Sequence, residues 1–222
     1  MCYSVESSAK TTLYSLISIV VLLTSGVPHF QWLGVVMIGW CGMQFDELLL
    51  WLTNPRKGCS IANKLITVTL IPLVLILQPL GSVLGSFFVK PWNECSQNRK
   101  LFIVLYSVMI IVSILYLFFK NNKKLCTVVT PSGHLNWWSG TPGFSSTLYF
   151  IWGIAILAPL CLLWDMSYKI IFILSAVPLF GYHYGLTTDS NASIWCYYTS
   201  FTSIVSLVMY GLYKFKIYNI LK

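Results

Sequence analysis

Trp40-Cys-Gly-Met-Gln-Phe-Asp-Glu-Leu-Leu-Leu-Trp51 places two adjacent carboxyls, Asp46 and Glu47, inside a long apolar run. A charged side chain at mid-bilayer costs roughly 2.5–3.5 kcal/mol on insertion scales, so such a pair is tolerated facing a protein interior, a wet cavity, a partner or the interface. Steps of three and four residues return to the same helix face, which aligns Trp40, Gln44, Glu47 and Trp51 in one narrow stripe and leaves Asp46 outside it. Flat aromatic surfaces alternating with hydrogen-bonding groups suit a ligand-lined wall or a polar helix–helix seam. Glu47 is therefore read as an interior group, and Asp46 as an ion-pair partner near a helix end.

The surrounding chain says what kind of interior this is. Of 222 residues, 57% are hydrophobic and 9% charged, against about 25% charged in soluble domains. Apolar runs of around 20 residues recur, the length needed to cross a hydrocarbon layer about 30 Å thick. The short alternating segments of a closed barrel are absent from the sequence. The formal charge of +8 does not point to nucleic acid, because Lys and Arg gather at the ends of the apolar runs as membrane topology requires. The bilayer is the expected partner and nucleic acid is not.

Breakers divide the runs into a single-domain, all-α transmembrane bundle of seven spans, at about 10–25, 30–52, 62–89, 101–119, 144–164, 169–185 and 192–213. Gly26-Val-Pro-His29 turns the chain after the first, and Asn54-Pro55 stops the second. A cleaved signal peptide is the weaker reading of the first run, since Leu23-Thr-Ser25 is a poor cleavage site. The third carries Pro72 and Gln78-Pro79, which bend a helix and release carbonyls that must find partners in the bundle. Gly81-Ser-Val-Leu-Gly85 then offers a small-residue face for close helix approach, more often within a monomer than across a dimer; a homo-oligomer stays open. The polar segment 120–143, with two tryptophans, is long for a connection and reads as an interfacial belt or a lid. Pro159 and Pro178 bend the fifth and sixth spans, and Trp195, Thr199, Thr202 and Ser206 form a second polar stripe on the seventh.

Seven spans put the termini on opposite faces. Lys and Arg divide evenly between them, so the positive-inside rule does not decide the orientation. Cys2, Cys59, Cys126 and Cys196 all fall at the N-terminal face, whereas Cys41 and Cys161 lie within spans and Cys95 stands alone opposite. One or two disulfides among the four suit an oxidising N-terminal face, as does the glycosylation acceptor Asn191-Ala-Ser193. The expected orientation is N-terminus outside and C-terminus cytosolic.

Depth along the spans gathers Trp40, Gln44, Glu47, Trp51, Asn63, Tyr182, His183, Trp195, Tyr198 and Thr199 toward that face, with Gln78 or Thr199 as the expected hydrogen-bond partner of Glu47 and His134 able to cover the group. Between adjacent helices they would line a polar aromatic pocket for a small solute, ion or lipid; the plainer alternative is that they hydrogen-bond helix ends and headgroups. No cofactor is expected. The metal-binding spacings His-x-x-x-His, His-Glu-x-x-His and Cys-x-x-Cys are missing, paired haem histidines have no suitable placement, Gly-x-Ser-x-Gly is missing, and no mid-span lysine could hold retinal.

Met1-Cys2-Tyr3-Ser4, Met43-Gln44 with Glu47, Leu77-Gln78-Pro79, His134-Leu-Asn-Trp137 and Ser193-Ile-Trp195-Cys196 run in order from end to end of the chain. Together they resemble an uncharacterised family of small polytopic membrane proteins of microbes and large DNA viruses that begin Met-Cys-aromatic-Ser. The resemblance implies a shared seven-helix fold and no assigned activity. The expected function is a small-solute or ion transporter or channel with Glu47 as its coupling or selectivity group. The alternatives are a ligand-binding sensor or structural protein of a membrane or viral envelope and, less favoured, a lipid-modifying enzyme.

Overall fold

The computed structural model describes residues 4–121, 125–131, 133–137, 155–156 and 191–215, with side chains excepted at 121 and 191–200. Its helices are α1 (Val5–Leu23), α2 (Pro28–Leu52), α3 (Ile61–Val89), α4 (Gln97–Asn121) and α5 (Asn191–Lys214), and a small antiparallel hairpin joins β1 (Val128–Val129) to β2 (Leu135–Asn136). The expected spans at 144–164 and 169–185 lie outside the described residues, apart from 155 and 156. The fold is all-α in its framework, and α2, α3 and α4 are each long and apolar enough to cross a membrane.

Helix α1 begins five residues before the expected start at Lys10. The Ser4 hydroxyl accepts from the Ser7 N–H and caps the helix, and Glu6 in the first turn pairs with Lys10 at 2.7 Å, so the polar head is helical. Gly26, at φ +71°, makes the turn into α2, whose first residue is Pro28, where a missing N–H costs no helical hydrogen bond. The end of α2 at Leu52 and of α3 at Val89 coincide with their expected limits.

The amphipathicity of α1 is inverted relative to that of a water-soluble helix. Ser8, Thr12, Ser15, Ser18 and Leu22 are buried, while Leu13, Tyr14, Leu16, Ile17 and Val20 face outward. An apolar exterior around a polar interior is stable where the surroundings are hydrocarbon. The outer face of α4 has the same character, with Leu101, Val104, Leu105, Val108 and Val112 exposed, while Ile103, Tyr106 and Ile110 pack on Leu80 and Val83 of α3.

Helix α2 is central, packed against α1, α3 and α5. Its contact with α3 is close because glycines line it. A Cβ on Gly39 would lie 2.5 Å from the Leu77 carbonyl oxygen, and one on Gly85 would lie 2.8 Å from Trp32. The Trp32 indole N–H donates to the Ser82 carbonyl at 3.0 Å across the same seam. The small-residue face of Gly81 and Gly85 thus serves packing within the chain. In lipid, where apolar burial alone does not bring helices together, such close contact and interhelical hydrogen bonds hold the bundle.

Candidate functional site on the central helix and its cap

All four residues of the expected α2 stripe are interior: Gln44 and Glu47 are 0% exposed, Trp40 2% and Trp51 8%. Gln44 Oε1 accepts a hydrogen bond from the Thr11 hydroxyl of α1 at 2.9 Å. Because α1 and α2 run antiparallel, stepping three residues from that contact in each helix brings Ser8 to the level of Glu47. Ser8 is fully buried. Ser8 and Thr11 escaped the sequence reading, although Ser-x-x-Thr-Thr-x-x-Ser spacing, from Ser8 through Thr11 and Thr12 to Ser15, was available as a signal.

Asp46 departs from its expected role. It is 2% exposed, and among the described residues its Oδ2 has no hydrogen-bond partner and the ion pair found is Lys10–Glu6. The reason is the position of α2: a helix packed on several sides buries more than one stripe, so leaving the Trp40/Trp51 face does not lead to solvent. Two carboxyls therefore lie inside the bundle.

Gln78 is also interior, 1% exposed, with neither amide atom hydrogen-bonded among the described residues. It does not sit beside Glu47. Gly39 abuts Leu77 and Gln78, and Glu47 lies eight residues farther along α2, about 12 Å at 1.5 Å per residue.

Asn63 serves as a fastening. Its Nδ2 donates to the Thr127 carbonyl at 3.1 Å, and the Thr127 N–H donates to its Oδ1 at 2.9 Å. Thr67, one turn along α3, accepts from the same N–H at 3.1 Å and shares a hydrogen bond with the Thr127 hydroxyl at 2.8 Å. The side-chain amide of Asn63 pairs with strand-edge backbone as a neighbouring strand would. Immediately before Thr127, Cys126 forms a disulfide with Cys59, two of the four cysteines assigned to the N-terminal face. Cys41 and Cys95 are buried and form no disulfide among the described residues, while Cys2 and the Cys196 side chain lie outside the described residues.

These two attachments dock the hairpin onto the end of α2 and α3 that carries Trp51. Its turn uses Gly133 at φ +83°, and the Thr130 N–H donates to the His134 carbonyl at 2.8 Å. Leu135 and Trp137 enter the apolar cluster that contains Trp40, Leu50 and Trp51, so Trp137 is a core residue. His134 is 7% exposed, and burial holds its imidazole below the ordinary 6.5. Thr67 and Thr127 were missed in the sequence; the β-branched run Thr127-Val-Val-Thr130 before Pro131 was their signal.

Tyr182 and His183 lie outside the described residues, as do the side chains of Trp195, Tyr198 and Thr199 in the first half of α5. The lower half of the second stripe is visible: the Thr202 hydroxyl contacts Met37 Sδ at 3.3 Å, and Ser206 bonds its own helix at the Thr202 carbonyl. The described residues contain no cluster of three or more histidines, cysteines or carboxylates able to hold a metal ion. No protein-family model, curated protein or solved structure matches the chain.

Proposed function

We propose that the chain is a seven-span membrane protein whose polar interior conducts a small solute or ion, with Glu47 as the coupling or selectivity group. The observation that carries this reading is the complete burial of Gln44 and Glu47 within a helix of membrane-spanning character. Carboxyl and amide groups are costly at that depth and are kept where substrates or protons pass. The inverted faces of α1 support it, since they place hydroxyls inside and alkyl groups against lipid. The end-to-end motif resemblance supports the seven-helix count. The Cys59–Cys126 disulfide supports an extracytosolic N-terminal face, with the C-terminus cytosolic.

A second reading, a sensor or structural protein, is favoured by one observation. The hairpin is both covalently tied and hydrogen-bonded over the N-terminal-face end of the bundle, as suits a sealed recognition domain. Reconstitution into liposomes separates the two. Conduction predicts flux of protons, alkali cations or small neutral solutes above that of empty vesicles, falling tenfold or more in Glu47→Gln. Permeability equal to that of empty vesicles across this panel would leave the recognition reading in its place.

A further inference from the structure

Inside the bundle, the hydroxyl face of α1 is incompletely satisfied. Ser18 donates to the Ser203 carbonyl of α5 at 2.9 Å, and Thr11 bonds Gln44. Ser8 and Thr12, 0% and 8% exposed, have hydroxyl oxygens without a hydrogen-bond partner among the described residues. Both are helical residues that could have turned back onto a carbonyl of the preceding turn, as Thr69 does with Leu65 in α3. A buried polar group left unsatisfied costs about 1–3 kcal/mol, and proteins commonly meet that cost with an internal water bonded to several polar atoms.

The placement of these groups is ordered. Ser8, Thr12 and Ser15 are spread over seven residue steps, about 10 Å of helix rise, beginning near the N-terminal end of α1 and running inward past Gln44 to Cys41. Leu13, Leu16, Ile17 and Val20 close the outward side of the helix with apolar surface. We infer that the seam between α1 and α2 is a hydration track. Water enters from the N-terminal face at Ser8, bonds Thr12, and delivers small hydrogen-bonding solutes or protons to the Gln44 level of the site. The inference rests on the conduction reading for its purpose, but wetness of the seam is measurable without any transport.

The test uses the full chain in liposomes, with Ser8→Cys and Thr12→Cys compared with Leu16→Cys on the lipid-facing side and the unsubstituted chain as blank. A charged, membrane-impermeant methanethiosulfonate reagent added to the N-terminal side reacts only where water reaches. Ser8→Cys and Thr12→Cys are expected to be modified at least tenfold faster than Leu16→Cys; rates equal to that control would overturn the track. Should either variant fail to fold, radiolytic footprinting of the native chain gives the same reading. Cys41, 3% exposed at the inner end of the seam, is expected to oxidise well ahead of Met109, which is 54% exposed on the outer face of α4. Equal protection of the two would overturn the proposal. Labelling without flux would retain the wet seam and reject conduction, whereas flux without labelling would do the reverse.

Discussion

Asn63 and Thr127, 64 residues apart, satisfy each other reciprocally: the Asn63 amide donates to the Thr127 carbonyl at 3.1 Å while the Thr127 N–H donates back at 2.9 Å. Asn63→Ala would leave both backbone groups buried, with Thr67 to share only the N–H, at a cost of about 2–4 kcal/mol for the pair. The neighbouring disulfide, closing a separation of 67 residues, contributes roughly 4 kcal/mol by loop closure. Hydrogen exchange at Val128 and Leu135 should rise modestly in Asn63→Ala or in Cys59→Ser, and steeply in the double variant. Steep loss in either single variant would show that the hairpin has one fastening.

The glycines of the α2–α3 seam should rank by what an added methyl meets. Gly39→Ala drives Cβ to 2.5 Å from a backbone oxygen of α3 that cannot rotate away; Gly85→Ala meets Trp32 at 2.8 Å, and Gly81→Ala meets Val36 at 3.2 Å. Overpacking costs about 1–3 kcal/mol, with Gly39 at the upper end. Thermal midpoints in detergent should fall in the order Gly39→Ala, Gly85→Ala, Gly81→Ala. A Gly39→Ala midpoint matching the parent would contradict this seam.

Burial of His134 gives the hairpin a pH dependence whose sign is fixed. Its folded pKa lies below the ordinary 6.5, so below that pH the unhinged hairpin binds more protons than the docked one. Docking stability is complete above about pH 6.5 and declines as the pH falls toward the depressed value. Exchange at Leu135 and Asn136, corrected for intrinsic rate, should be faster at pH 5 than at pH 7.5, and His134→Gln should remove the difference. Identical protection at the two pH values would refute the assignment.

Asp46 and Glu47 should respond oppositely to an apolar replacement. Asp46 Oδ2 is buried without a hydrogen bond among the described residues, so Asp46→Leu removes a desolvated group and should hold or raise the thermal midpoint. Glu47 is fully buried one turn from the Thr11–Gln44 hydrogen bond, so Glu47→Leu sets an alkyl group into the polar part of the α1–α2 seam and should lower it. Thermal melts of the two variants decide, and a fall in both would mean that Asp46 is also held in place.

These residues show where sequence reading succeeds and why it stops. The ends of α2 and α3 were legible because Asn54-Pro55 and the polar turn after Val89 are strong local breakers. The Glu47 stripe was legible because helical spacing alone determines which residues share a face. The burial of Asp46 was not, since it depends on α2 being surrounded, a property of topology. The cap was half legible. Cysteine placement picked out Cys59 and Cys126 together with two others, but strands of two residues leave no periodicity, and the Asn63–Thr127 bond joins distant segments.

Helix α3 has one more consequence, for the membrane itself. Its 29 residues rise about 43 Å at 1.5 Å each, against a hydrocarbon thickness near 30 Å. Pro72 and Pro79 stand two turns apart on nearly one side of the helix, so any deflections that prolines impose fall in a single plane. An overlong span meets a thin bilayer by leaning and a thick one by standing upright. Because α2 is locked to it through Gly39 and Gly85, the pair must lean as a unit, which couples the attitude of the carboxyl-bearing helix to bilayer thickness.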